Sequence, residues 1–351
     1  MTDTTRRIAA HTDIATSLAL LSDVELAELV AAGEPLGTGI GGRAVRITVD
    51  GSPVFVKRIP LTDRERDPLH ARSTANLFGL PPYCHYGIGA VGGPGFGAWR
   101  ELAAHTETTN WVLAGRFPGF PLLHHWRTLP DTPHPLPDEL ADIERAVAYW
   151  GGAAGLRERI EGLRDASASL TLFLEHFPST LHEWLDAELR TERADAACTR
   201  VARRLEELTA FLRTRQLLHL DAHFRNVLTD GRQLYLTDFG LSLSSRFRLA
   251  PDERDFFDRH RHYDSAYSAY FLVIWLVTAL YGYRGEERAE FVRACAEGKR
   301  PEGIPRAAAE LLLRHAPLAV GMEVFCRRLG QESQLTPFPY VDGYSSCTLS
   351  A

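Results

Sequence analysis

Lysine is nearly missing from this chain. Of its 39 basic residues only two are lysine, Lys57 and Lys299, and the other 37 are arginine. Asparagine is almost as scarce, found only at Asn76, Asn110 and Asn226. An ammonium is a compact point charge that the planar guanidinium fork does not replace in a tight phosphate site, so each retained lysine has a local reason. Cysteine is sparse as well. Cys84, Cys198, Cys295, Cys326 and Cys347 are odd in number, far apart and without a C-x-x-C pair. That argues against a disulfide framework and a zinc site, and predicts a cytoplasmic setting. Long apolar runs are missing too: the stretch from Ala269 to Tyr283 covers only fifteen residues, short of a bilayer span, and reads as a buried core helix. The opening MTDTTRRIAAHTDIATSLALL contains Asp13 and no long apolar region, so it does not read as a secretory leader. Positive charge is not in excess. A net charge of −6 and a pI of about 6.2 leave no electrostatic footprint for nucleic acid, though they are compatible with a cationic small substrate.

The remaining composition is that of a globular chain. Its 351 residues suit one large domain or two lobes, with 45% hydrophobic and 24% charged residues. Ser22-Asp23-Val24-Glu25 reads as a capping box that opens a helix through Val30, with Gly33 as its stop. The period then changes from helical to alternating. Ala44 to Val49 and Pro53 to Ile59 are expected strands joined by the turn Asp50-Gly51. Residues 79–98 are rich in Gly and Pro and read as loop, with a helix beginning near Phe96. Leu122 to Trp126 and Thr171 to Glu175 are further expected strands, separated by a Pro-led, charged helical segment at 130–168 that looks inserted. Helices are expected over 180–189, 194–213, 263–280, 286–297 and 306–329, with a small hairpin at Val227-Leu228 and Leu234 to Leu236. The tyrosines and Trp275 of the 263–280 segment fall at helical spacing and read as core.

Three clusters carry chemistry. Gly37, Gly39 and Gly42 satisfy G-x-G-x-x-G, but between two strands, where a dinucleotide fingerprint would pass from strand to helix. A hairpin of that kind can lie over phosphates and offer backbone N–H groups unobstructed by side chains. Fifteen residues after Gly42 comes Lys57 on a strand whose period of two puts Phe55, Lys57 and Ile59 on one face, Val54 and Val56 on the other. The third cluster is His219-Leu220-Asp221-Ala222-His223-Phe224-Arg225-Asn226, followed by Asp238-Phe239-Gly240. Mg²⁺ takes few hard oxygen ligands alongside phosphate oxygens, which Asn226 and Asp238 can supply. Asp221 is then left to orient a hydroxyl and accept its proton.

H-x-D-x-x-x-x-N, a downstream D-F-G, an upstream strand lysine and a glycine hairpin, in this order, resemble the protein-kinase-like superfamily. That superfamily includes protein kinases and the aminoglycoside phosphotransferase and choline-kinase type enzymes. The resemblance covers about residues 34–282. It implies an α+β, bilobal fold with a small β-rich N-lobe and a larger helical C-lobe. Residues 1–33 would form an extension with a capped helix, 34–176 the nucleotide-binding lobe with its insert, and 177–351 the lobe holding catalytic loop and substrate site. It implies ATP and Mg²⁺, with Lys57 on the phosphates, Asp221 as base, and Asn226 and Asp238 as metal ligands. Glu175 to Phe177 would form the adenine hinge, and Asp264 would brace the catalytic loop. For the glutamate partner of Lys57, Glu101 is favoured; Glu65 stands close in sequence to the lysine, and Glu107 is a rival.

The departures bear on the acceptor. Leu220 stands where protein kinases have Arg, and His223 gives the small-molecule kinase form of the loop. The segment from Gly240 to Ala250-Pro251-Asp252-Glu253 is short for docking a peptide. Against these, D-F-G-L is the protein-kinase spelling. The expected acceptor is a small-molecule hydroxyl, with a protein acceptor as the alternative, a nucleotide-binding scaffold as the second, and neither nucleic acid nor membrane as partner. His124-His125 and His260-Arg261-His262 lack metal-ligand spacing and read as structural or solvated. Ser242, Ser244 and Ser245 follow the D-F-G and could be phosphorylated, but serines are common in loops and these read as ordinary loop residues.

Overall fold

The computed structural model describes residues 3–89 and 91–339, an α+β chain that divides into two compact units. The first holds Met1–Phe177 with Thr237–Ser242 and Arg246–Ala250; the second holds Pro178–Leu236, Leu243–Ser245 and Pro251–Ala351. Cys347 lies outside the described residues, and the other four cysteines are free thiols.

In the first unit, α1 (Asp3–Ala19) and α2 (Asp23–Ala31) precede β1 (Glu34–Gly39), β2 (Gly42–Val49) and β3 (Ser52–Pro60). The short α3 (Asp63–Arg66), a 3-10 turn at Pro82–His85, α4 (Ala98–Leu113) and β4 (Leu123–Pro130) follow. The segment expected to be an insert folds as α5 (Asp138–Ala141), α6 (Ile143–Tyr149) and α7 (Ala154–Arg164), and β5 (Ala168–Glu175) completes the unit. The strands form one antiparallel sheet in the order β1-β2-β3-β5-β4. Alternation on β3 decides what each face meets. Val54 and Val56 are fully buried in a cluster with Ile14 and Leu18 of α1 and Leu26 and Val30 of α2. Ile59, with Phe55 beside it, packs on the opposite face against Trp99 and Leu102 of α4 and Leu170, Leu172 and Leu174 of β5. Lys57 shares that second face, so strand periodicity aims its side chain toward α4.

The second unit begins with β6 (Ser179–Thr180), α8 (Leu181–Glu188), α9 (Ala194–Arg215) and β7 (Leu217–Leu218). The hairpin β8 (Val227–Thr229) and β9 (Leu234–Leu236) pairs through β8 with β6, and β10 (Leu243–Ser244) pairs with β7. Four helices follow: α10 (Pro251–Arg259), α11 (Tyr263–Tyr281), α12 (Gly285–Ala296) and α13 (Arg306–Gln331). Among the described residues α11 is the one helix long and apolar enough to cross a membrane, but 61% of its apolar window is buried inside the protein. Tyr263, Tyr267, Tyr270 and Trp275 are all core residues.

Several expectations need correcting. The first unit is the larger of the two, because residues 1–33, expected as an extension, group with it along with Thr237–Ser242 and Arg246–Ala250. Residues before Ser22 were not assigned a helix, yet α1 forms there and covers one face of the sheet. Its buried apolar positions, Ile14 and Leu18, are spaced by four, a stripe too narrow to stand out among Thr and Arg. The expected strand at Leu122 runs instead over Leu123–Pro130, with a bulge between Leu123 and His125. Ser242 and Ser244, read as ordinary loop serines, are buried.

Candidate functional site

The first unit concentrates charge around Lys57. Its Nζ donates to Glu101 Oε1 at 2.6 Å and to Asp238 Oδ1 at 2.9 Å. Glu101, on the first turn of α4, is 3% exposed in its side chain, whereas Asp238 is 42% exposed. Burial alone would depress the ammonium, but the carboxylates of Asp238 and Glu101 outweigh it and keep Lys57 charged. Burial acts on Glu101 in the opposite sense, raising its carboxyl above the usual range against the pull of Lys57. His105, one turn further along α4, lies 3.9 Å from Glu101 Oε1 and meets the ring of Phe239 edge-on. Asp238 itself adopts φ of +64°, a left-handed conformation that costs a non-glycine residue about 1–2 kcal/mol.

The glycine hairpin meets this cluster through a residue outside the fingerprint. Gly37 and Gly39 lie within β1, and a Cβ on either would meet nothing within 4 Å. Gly41, in the turn, is the one that approaches the lysine: a Cβ there would stand 2.8 Å from Lys57 Nζ and 3.8 Å from Asp238 Oδ1. Gly42, at φ +115°, presses on the next strand, where a Cβ would fall 2.1 Å from the carbonyl oxygen of Arg58.

In the second unit the loop 219–226 is held from beneath. Asp264 opens α11 and accepts the backbone N–H of His219 at 2.7 Å and of Leu220 at 2.8 Å. Burial pushes its carboxyl up to about 6 in spite of those two bonds. Leu220 is fully buried at φ +67°, a strained conformation for a bulky side chain, and the bond from its own N–H helps to fix it. Asn226 Nδ2 donates to both the carbonyl oxygen and Oδ2 of Asp221, each at 3.0 Å. This fixes the amide and leaves its Oδ1 out of that pair. His223 Nε2 lies 3.8 Å from Asp221 Oδ2. Asn226 Oδ1 and the half-exposed carboxylate of Asp238 are hard oxygen donors of the kind Mg²⁺ accepts. Among the described residues no group of three or more His, Cys, Asp or Glu could hold a metal by itself. An ion held by either oxygen would need further oxygens, such as those of a bound phosphate, which is the usual situation for Mg²⁺.

Glu175 and Phe177, expected at an adenine hinge, end the first unit's principal segment, since the division falls after Phe177. The Glu175 N–H donates to the Leu122 carbonyl, and the Glu175 side chain is engaged by Arg7 of α1. Arg7 forms a two-pronged pair with that carboxylate at 2.7 and 2.8 Å, donates to the carbonyls of Pro118 and Phe120, and lies over the Phe177 ring.

Arg7 is one neighbour of the expected hinge that the sequence does not betray, being one arginine among 37. Glu65 and Arg159 are a second case. Both are buried and paired at 2.8 Å, and Glu65 Oε1 accepts the N–H of Ala98 at the start of α4. Thus α7, from the segment of unassigned role, braces through Glu65 the helix that carries Glu101. The capping box Thr62–Glu65 was the available signal, and it locates Glu65 without revealing Arg159. Of the other expected residues, His124 is buried against His11 and His260 stacks on Phe256, so both are structural. Compared with models of known protein families and with curated proteins, the chain matches none.

Proposed function

We propose that this chain is a bilobal, protein-kinase-like phosphotransferase that moves the γ-phosphoryl group of ATP to a hydroxyl of a small molecule. The observation that carries the reading is the Lys57 cluster. Glu101 and Asp238 stand 44 and 181 positions from the lysine, yet both reach its ammonium. A charged, buried lysine held by one carboxylate, with a second that is half exposed, suits the placement of nucleotide phosphates. The reading assigns Lys57, Asp238, Asn226 and Asp221 to one nucleotide. Asn226 and Asp238 would hold Mg²⁺, which when bound neutralises charge on the phosphates. Asp221 would accept the acceptor's hydroxyl proton as that oxygen bonds to the γ-phosphorus and the bond to the ADP oxygen breaks. Catalysis would then rest on alignment and charge compensation, with no covalent intermediate on the protein.

The segment after Gly240 supports a small acceptor. Ser242, Leu243, Ser244, Phe247 and Leu249 are buried, so that over 242–249 only Ser245, Arg246 and Arg248 are exposed to meet a peptide. The test is to incubate the protein with ATP, Mg²⁺ and a panel of hydroxylated compounds and proteins, and to look for added phosphate by mass spectrometry. Turnover on a small alcohol that Asp221→Ala lowers at least about 100-fold is expected. Transfer only to protein would replace the acceptor assignment. Activity unchanged in Asp221→Ala would defeat the catalytic one.

A further inference from the structure

The second unit contains a cavity of about 200 Å³ between α9, α11 and α13 that the proposed phosphotransfer does not use. Leu205 and Leu272 are buried and give it an apolar floor. Ser268 also lines it, 3% exposed, and its Oγ has no hydrogen-bond partner among the described residues; nor has Nδ1 of His315 on the facing helix. The cavity mouth is exposed and charged, with Arg213 and Arg314 against the single carboxylate of Glu206. Burial and the neighbouring Arg314 hold His315 down to about 4, so it is neutral near pH 7. His262 is lowered for similar reasons, burial first and then Arg213, whose Nη1 lies 3.3 Å from its Nδ1. The fixed charges at the mouth therefore leave an excess of one positive.

Size and polarity together narrow the guest. An apolar cavity of about 150 Å³ accommodates a benzene ring, so this one has room for a ring and a small substituent. We infer that the cavity binds a small monocarboxylate built on a single ring, with the carboxylate at the arginine mouth and the ring on the leucine floor. A cation would face two guanidinium groups, and a neutral ring would leave them unused.

The experiment titrates the full-length protein with 4-fluorobenzoate, fluorobenzene and 4-fluorobenzylamine, read by fluorine NMR. The expected result is saturable binding of 4-fluorobenzoate, at least about tenfold tighter than either comparator. Ala210→Trp, at the exposed rim, should abolish it, and Arg314→Gln should weaken it about tenfold, both without a change in thermal midpoint. Absence of saturable binding, equal affinity for fluorobenzene, or binding untouched by Ala210→Trp would each overturn the assignment.

Discussion

The Lys57 ammonium is held between a buried carboxylate and a half-exposed one, and this arrangement tolerates little change of shape. An arginine there would keep the charge while replacing a point donor by a longer planar fork. Gly41 closes the remaining space, since even a methyl group on it would stand 2.8 Å from Nζ. If the proposed phosphotransfer is correct, Lys57→Arg lowers it about 100-fold or more with the fold retained, as followed by steady-state kinetics and circular dichroism. Near-normal turnover would remove the lysine from the phosphate site. Gly42 makes a stability prediction at the same scale. Gly42→Ala combines a φ of +115° with a Cβ 2.1 Å from the Arg58 carbonyl oxygen, so a loss of about 2–3 kcal/mol in urea unfolding is expected. An unchanged midpoint would mean that the hairpin relaxes freely.

Among the elements, α4 matters most because it delivers Glu101 to the lysine. Its start is set by Glu65, which accepts the N–H of Ala98 at 2.8 Å, and whose backbone carbonyl accepts Trp99 Nε1 at the same distance. Arg159 of α7 neutralises that buried carboxylate. Removing one member of such a pair leaves an uncompensated buried charge, at a cost of about 3–5 kcal/mol. Arg159→Met is therefore expected to destabilise the chain by that amount, whereas Arg159→Met combined with Glu65→Gln, which removes the charge and keeps an acceptor oxygen for the Ala98 N–H, should recover much of it. Equal losses in the single and double variants, measured by denaturant unfolding, would show that the pairing is not what holds α4. The segment that looked inserted from its Pro-led, charged sequence is in this sense a structural support. Its helices were legible in part from composition, but their purpose was not, because the partner of Arg159 lies 94 positions earlier.

For the whole molecule, pH acts through buried histidines. His260 is 4% exposed and packed against Phe256, Tyr263 and Phe338, and burial holds its pKa down to about 4 despite the bond to the Phe256 carbonyl. Its folded pKa lies below the unfolded value of about 6.5, so the unfolded chain binds more protons between those limits. Stability from this residue is full above about pH 6.5 and is lost as the pH falls toward 4. His260→Phe keeps an aromatic ring and cannot titrate. Relative to the parent, the variant should gain about 2–3 kcal/mol between pH 7 and 4.5, read as the difference of two urea titrations. Parallel pH profiles would mean that the ring is protonated equally easily in both states. Comparing variant with parent isolates this linkage from that of Asp264, whose raised pKa acts in the opposite sense.

The sequence by itself determined the identities and order of the chemical groups, and much of the secondary structure. Strand periodicity put Lys57 opposite Val54 and Val56, the capping box opened α2, and the loop from His219 to Asn226 carried its own signature; all depend on neighbours within a few residues. What only the tertiary structure decided were meetings across long separations. Glu101 rather than Glu65 or Glu107 reaches Lys57, Gly41 rather than the fingerprint glycines is where an added Cβ would crowd it, and Arg7 takes Glu175 from 168 positions away. Such pairings are set by how helices and sheet share a core, and in a chain with 37 arginines no single one announces its partner.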